Sequence, residues 1–169
     1  MATPNVLVLT GYGINCEEET AFAFRKAGAA SEIVHINDLI DGHRRLKDYQ
    51  IVAFPGGFSF GDDTGSGNAF AHKMKNSLWD ELQRFVEGNN LMLGICNGFQ
   101  VMVNLGLLPA IEGNYGERKV ALVHNTSARY DCRWVDLECN GNSPWIGDLK
   151  SMSLPIAHGE GRLYAAPET

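Results

Sequence analysis

Several patterns are missing from this 169-residue chain, and each absence removes a class of function. No C-x-x-C pair occurs, and the four cysteines, Cys16, Cys96, Cys132 and Cys139, are scattered. Such spacing suits neither a zinc site nor a disulfide framework, so no metal is expected. Basic charge is not in excess: Lys and Arg number 14 against 20 Asp and Glu, a formal net charge of −6. Proteins that hold a phosphate backbone usually carry a basic face that displaces counterions, so nucleic acid is not an expected partner. No apolar run is long enough to span a membrane, and "MATPNVLVLTGYG" lacks the basic n-region of a signal peptide. The expectation is a cytoplasmic protein with no membrane partner. There is no G-x-x-x-x-G-K-[ST], and "GDDTGSGN" has glycines but no lysine to reach a phosphate, which argues against an ATP site in this chain. No repeat, low-complexity tract or linker interrupts the sequence, so residues 1–169 read as a single domain.

What is present alternates. "NVLVLT" is a short apolar run ended by "GYG", and it reads as a buried strand turning sharply into a helix. Asn15 is placed to cap that helix with Glu18 three residues on, and Gly28 to stop it. "SEIVHI", "YQIVAF" and "LMLGI" read as further strands. "SLWDELQRFVEG" reads as an amphipathic helix closed by Gly88, and a last helix runs from about Asn97 to Leu105. Strands alternating with helices predict an α/β domain, doubly wound, with a mostly parallel sheet covered on both faces. Beyond Pro109 come strand-like runs, "KVALVHN" and "CRWVDLEC", separated by turn residues such as "NGNSPWIGD". These are expected to add antiparallel strands that extend the sheet in the C-terminal third.

In such a sheet, ligands gather at the carboxyl ends of the strands, and Cys96 falls there. Gly94-Ile95-Cys96-Asn97-Gly98 is the cysteine form of G-x-S-x-G, the strand-to-helix elbow from whose corner a nucleophile projects. The helix behind it turns free N–H groups and the positive end of its dipole toward the sulfur, where negative charge is favoured. The competing reading, a buried small hydrophobe, is the better one for Cys16, Cys132 and Cys139, which have no such frame. A nucleophile attacking a carbonyl needs oxyanion donors. The backbone N–H of Asn97 is one candidate, and "FPGGFSFGD", with Gly56-Gly57 after a strand, supplies another where a backbone can approach closely.

"GICNGFQ" together with "PGGFSFGD" resembles the class I, or triad, glutamine amidotransferases, whose fold is flavodoxin-like. "GGFSFGD", "GYGIN", "NTSARYDCRW" and "PIAHGEGR" resemble its purine-synthesis branch in particular, the glutaminase subunit of phosphoribosylformylglycinamidine synthase. The resemblance implies that Cys96 attacks the side-chain amide of L-glutamine. A glutamyl thioester forms, ammonia is released, and water cleaves the thioester to glutamate. By motif position, Gly57 and Asn97 would form the oxyanion hole and Gln100 would sit beside the bound glutamine. The resemblance also implies no cofactor in this chain. ATP and Mg would belong to a separate synthetase subunit that receives the ammonia, with a third small subunit as a further candidate partner. Two alternatives stay open: a catalytically silent fragment or binding subunit of that complex, and another cysteine-elbow hydrolase of the same superfamily.

A cysteine nucleophile of this kind works with a histidine oriented by a carboxylate. Among His35, His43, His72, His124 and His158, only His158 is followed by a carboxylate two residues on, Glu160, at a strand end where both side chains could share a face. A triad of Cys96, His158 and Glu160 is the local reading. In the family, however, "AHGEGR" resembles a segment that precedes the catalytic pair, which belongs to a later "PHPE" motif. This sequence contains no "PHPE". The expectation is therefore a domain incomplete at its C-terminal side, with a supporting or subunit-facing role for His158 and Glu160.

Overall fold

A computed structural model describes residues 2–140 and 143–167. They form two compact units, residues 2–121 with 165–167 and residues 122–164.

The larger unit is built on four parallel strands in the order β2-β1-β3-β4: β1 (Asn5–Thr10), β2 (Ala30–His35), β3 (Ile51–Phe54) and β4 (Leu91–Gly94). Side chains alternate across a strand, so β1 serves two cores at once. Val6 and Val8 pack with Ala53 and with Ala21 of α1 (Glu17–Lys26) on one face. Leu7 and Leu9 belong to the larger core with Val52 and Phe54. That core also takes residues of α3 (Asn68–Glu87) and α4 (Asn97–Leu105). Both faces of the sheet are covered, as a doubly wound domain requires.

Helix boundaries differ from the sequence reading in three places. The N-cap of α1 is Cys16 and not Asn15, and no side chain caps it. Thr20 ties that end down by donating its hydroxyl to the Cys16 carbonyl at 2.6 Å. A short helix, α2 (Ile36–Ile40), follows β2 directly, with His35 Nδ1 accepting from the Asn37 N–H at 3.1 Å. Helix α3 begins nine residues before "SLWDEL", at Asn68. Its buried residues Phe70, Ala71, Met74, Leu78, Leu82 and Phe85 form one continuous stripe. The polar glycine-rich segment in front of it masks that start.

The C-terminal strands do not extend the parallel sheet among the described residues. β5 (Val120–Val123) pairs with β8 (Arg162–Ala165), while β6 (Asp131–Glu138) and β7 (Ser151–His158) form a separate antiparallel ladder running from Asp131↔His158 to Glu138↔Ser151. Gly141 and Asn142, in the turn expected between these strands, lie outside the described residues.

Candidate functional site

At the end of β4 the backbone turns through Cys96 with φ 51° and ψ −113°. That conformation lies outside every region an L-residue adopts freely, the left-handed one included, and costs on the order of 1–3 kcal/mol. The surroundings hold it. Ile95 N–H donates to the Phe54 carbonyl at 3.0 Å, Gly98 N–H to the Ile95 carbonyl at 2.9 Å, and Gln100 N–H to the Cys96 carbonyl at 3.2 Å. Both flanking glycines are required by contact. A Cβ on Gly98 would fall on the Phe54 carbonyl, and one on Gly94 would lie 2.6 Å from Met102 Sδ and 2.9 Å from Phe99 Cα. The result is an exposed thiol at the N-cap of α4. This is the elbow that the G-x-C-x-G spacing predicted.

Asn97 is fully buried, and its side chain is the knot of the site. Oδ1 accepts from the Ser59 N–H at 3.1 Å, while Nδ2 donates to Asp62 Oδ1 and to Gln100 Oε1, both at 3.1 Å. Asp62 in turn accepts from Ser66 Oγ at 3.1 Å and the Gly67 N–H at 3.4 Å. The 57–67 loop is thereby lashed to the elbow. Sequence reasoning missed Ser59 and Asp62, although "GGFSFGD" contained both. Gln100, one turn into α4, is buried, and its side-chain carbonyl oxygen accepts from Asn97 Nδ2.

Gly56 and Gly57 lie against the elbow and the "GYGIN" loop. A Cβ on Gly56 would come 3.5 Å from Cys96 Cβ. Gly57 has φ +150°, and a Cβ there would lie 2.6 Å from the Gly13 carbonyl oxygen, 2.8 Å from Ile14 Cα and 2.9 Å from Asn15 N. The N–H groups of Gly57 and Asn97 enter no hydrogen bond among the described residues. Aromatic side chains of the two loops meet here. Tyr12 stacks on Phe60 with centroids 4.7 Å apart, and Lys73 Nζ sits 5.1 Å over the Tyr12 ring. Cavities of about 420 and 460 Å³ lie elsewhere, lined by Arg45, Arg84 and Phe85 in one case and by Glu32, Arg44 and Tyr49 in the other.

His158 and Glu160 belong to the smaller unit. His158 Nδ1 lies 3.0 Å from Asn125 Oδ1, and Glu160 Oε1 lies 3.3 Å from His124 Nδ1. Each side chain is engaged by a different residue just after β5.

The chain matches the CobB/CobQ-like glutamine amidotransferase domain over residues 3–169. It is 58% identical over 167 residues to the phosphoribosylformylglycinamidine synthase subunit PurQ of Methanococcus maripaludis strain S2, covering 98% of this chain and 61% of that protein. The corresponding subunit of Dehalococcoides mccartyi is 42% identical, with 99% of this chain and 66% of that protein covered. The chain thus spans less than two thirds of the length of these curated relatives. Among solved structures it is similar to PurLQS from Thermotoga maritima, with a TM-score of 0.81 and 30% identity over 99% of this chain and 72% of that one. A glutamine amidotransferase from the same organism, 15% identical with a TM-score of 0.57 over 94% of this chain and 62% of that one, shares the fold. With a strained cysteine elbow and a family match over nearly its whole length, the chain belongs to the CobB/CobQ-like glutamine amidotransferase family.

Proposed function

We propose that the protein is the glutaminase component of phosphoribosylformylglycinamidine synthase, releasing ammonia from L-glutamine for an ATP-dependent synthetase subunit in purine biosynthesis. The observation that carries this is the exposed Cys96 thiol, held at φ 51° and ψ −113° at the head of α4. The printed names of the relatives support the choice of reaction and partner.

The sulfur attacks the side-chain carbonyl carbon of glutamine, and the oxygen takes the negative charge. The N–H groups of Gly57 and Asn97 are the proposed donors to that oxyanion. Collapse of the tetrahedral intermediate expels ammonia once its nitrogen is protonated and leaves a glutamyl thioester, which water hydrolyses to glutamate and free thiol. Asn97 acts with both its parts in this reading: its backbone as donor, its side chain as the tie that sets the distance between the loop and the elbow. Gln100 is a positioning residue that works through Asn97. ATP and Mg are assigned to the synthetase subunit, a third small subunit is a further candidate partner, and the setting is cytoplasmic.

The test uses the complete synthase. Cys96→Ser is expected to abolish ammonia-dependent product formation from glutamine while added ammonia still supports the synthetase step. Full glutamine-driven activity in Cys96→Ser would remove the assignment. A glutamine analogue with an electrophilic side chain is expected to label Cys96, and simple esters to be ignored. The reverse pattern would favour another cysteine-elbow hydrolase.

A further inference from the structure

Cys96 is not the only thiol at this corner. Cys16, at the N-cap of α1, is held over Gly56 by two hydrogen bonds: the N–H groups of Asn15 and Cys16 both donate to the Gly56 carbonyl at 3.2 Å. Cys96, at the N-cap of α4, lies beside the same glycine. The position that a Cβ on Gly56 would occupy is 3.5 Å from Cys16 Sγ, 3.8 Å from Cys16 Cβ and 3.5 Å from Cys96 Cβ. Two cysteines from strand ends eighty residues apart in sequence therefore flank one gap, and no side chain fills it. A disulfide needs its Cβ atoms roughly 3.5–4.5 Å apart; rotation about χ1 turns the two sulfurs toward each other, and the Cβ approach comes from a small shift of the loop backbone beside Gly56.

We propose that Cys16 is the resolving thiol of a reversible oxidation at Cys96. A hydroperoxide is the oxidant. The Cys96 sulfur attacks the peroxide oxygen, the O–O bond breaks, and Cys96 becomes a sulfenic acid as hydroxide or water leaves. The Cys16 sulfur then attacks the sulfenic sulfur, the S–O bond breaks, water leaves with the proton of the Cys16 thiol, and a Cys16–Cys96 disulfide remains. The order of events follows from the two environments. Cys96 is exposed at a helix head. Cys16 is partly buried, and its thiol is pushed above its ordinary value by burial first, then by Glu19, Cys96 and Glu17. The exposed sulfur reacts with the oxidant and the sheltered one waits as its partner. The disulfide would store the nucleophile against irreversible oxidation and silence it until a reducing thiol returns. This inference stands on the geometry of the two thiols and holds whatever amide the enzyme cleaves.

The experiment treats the dilute full-length protein with hydrogen peroxide and follows peptides containing residues 16 and 96 by mass spectrometry, without any activity assay. The wild type is expected to lose two hydrogens, to show an intramolecular link between the two peptides, and to regain Cys96 alkylation after dithiothreitol. Cys16→Ser is expected to form no link and to carry Cys96 on to sulfinic acid that dithiothreitol does not reverse. Gly56→Ala keeps both thiols and places its methyl at ordinary contact distance from each. It should fold and yet lose most of the link. If wild-type Cys96 overoxidises as fast as in Cys16→Ser, or if Cys96 links instead to Cys132, Cys139 or a second copy, the proposal fails.

Discussion

Gly57 is fitted to the fold and, in the proposed reaction, to the oxyanion as well. A β-branched side chain there is expected to crowd the proposed oxyanion and to strain the fold, because the added Cβ would strike backbone atoms of Gly13, Ile14 and Asn15 at a φ of +150° that L-residues rarely adopt. Gly57→Val is therefore expected to lower thermal stability as well as glutamine turnover. Loss of one oxyanion donor typically costs ~10²–10³ in kcat. Melting temperature and ammonia release measured on the same preparation separate the two effects. An unchanged melting temperature would show that the "GYGIN" loop yields, and a fall in kcat of less than about threefold would place Gly57 outside the oxyanion hole. The elbow was legible because its two glycines and cysteine are adjacent in the chain. Asp62 and Cys16 were not, since each acquires its meaning only across a loop, Asp62 from Asn97 and Cys16 from Gly56.

Between elements, the glycine-rich segment before α3 is a spacer. A Cβ on Gly67, at φ +72°, would lie 2.8 Å from Val101 N and 3.0 Å from the Gln100 carbonyl carbon, both on α4. Gly67→Ala is expected to push the start of α3 away from α4 and to destabilise by about 1–3 kcal/mol, in the range of other overpacked contacts. Chemical denaturation reads this directly; a variant as stable as wild type would show that the contact relaxes freely. A second inter-element tie is electrostatic. Glu32 on β2 accepts from Tyr49 Oη at 2.6 Å and from Arg44 Nε at 2.8 Å. The Tyr49 bond first, then Arg44, holds its carboxyl below the usual carboxylate value. A lowered folded value means stability that is present above the unfolded value, roughly pH 4.3, and lost as pH falls through the folded one. Tyr49→Phe should thus lose melting temperature at pH 7 and lose less of it at pH 3. An equal loss at both would make the effect one of packing alone. Strand and helix order was legible from alternating apolar runs, and α4 was located to the residue. The start of α3 was not, because Gly65, Ser66, Gly67 and Asn68 read as loop while Phe70, Ala71 and Met74 supply the buried stripe that makes it helix.

At the scale of the molecule, the proposed reaction needs a base to carry the proton, and the smaller unit holds the local candidate. His158 is committed to its own neighbourhood. Its Nδ1 faces the Asn125 Oδ1 acceptor, which also takes the Gly161 N–H at 3.3 Å, and Asn125 Nδ2 donates to the His158 carbonyl and the Arg129 carbonyl, both at 2.9 Å. Any Cβ on Gly161 would fall on the His158 ring, so ring and turn are fitted to each other. Those contacts describe a residue that closes the β7–β8 turn. Removing the ring should therefore cost local stability and little chemistry. In the longest natural form of the protein, His158→Ala is expected to lower the melting temperature, to leave Cys96 alkylation at its wild-type rate, and to reduce glutamine turnover by less than about tenfold, against the ~10²–10⁴ that a positioned general base is worth. Asn125→Ala, which removes the same turn contacts and leaves the imidazole, should reproduce the loss of stability. If His158→Ala instead silences turnover by a hundredfold or more while Asn125→Ala does not and both proteins stay folded, His158 is the base, in a triad with Cys96 and Glu160.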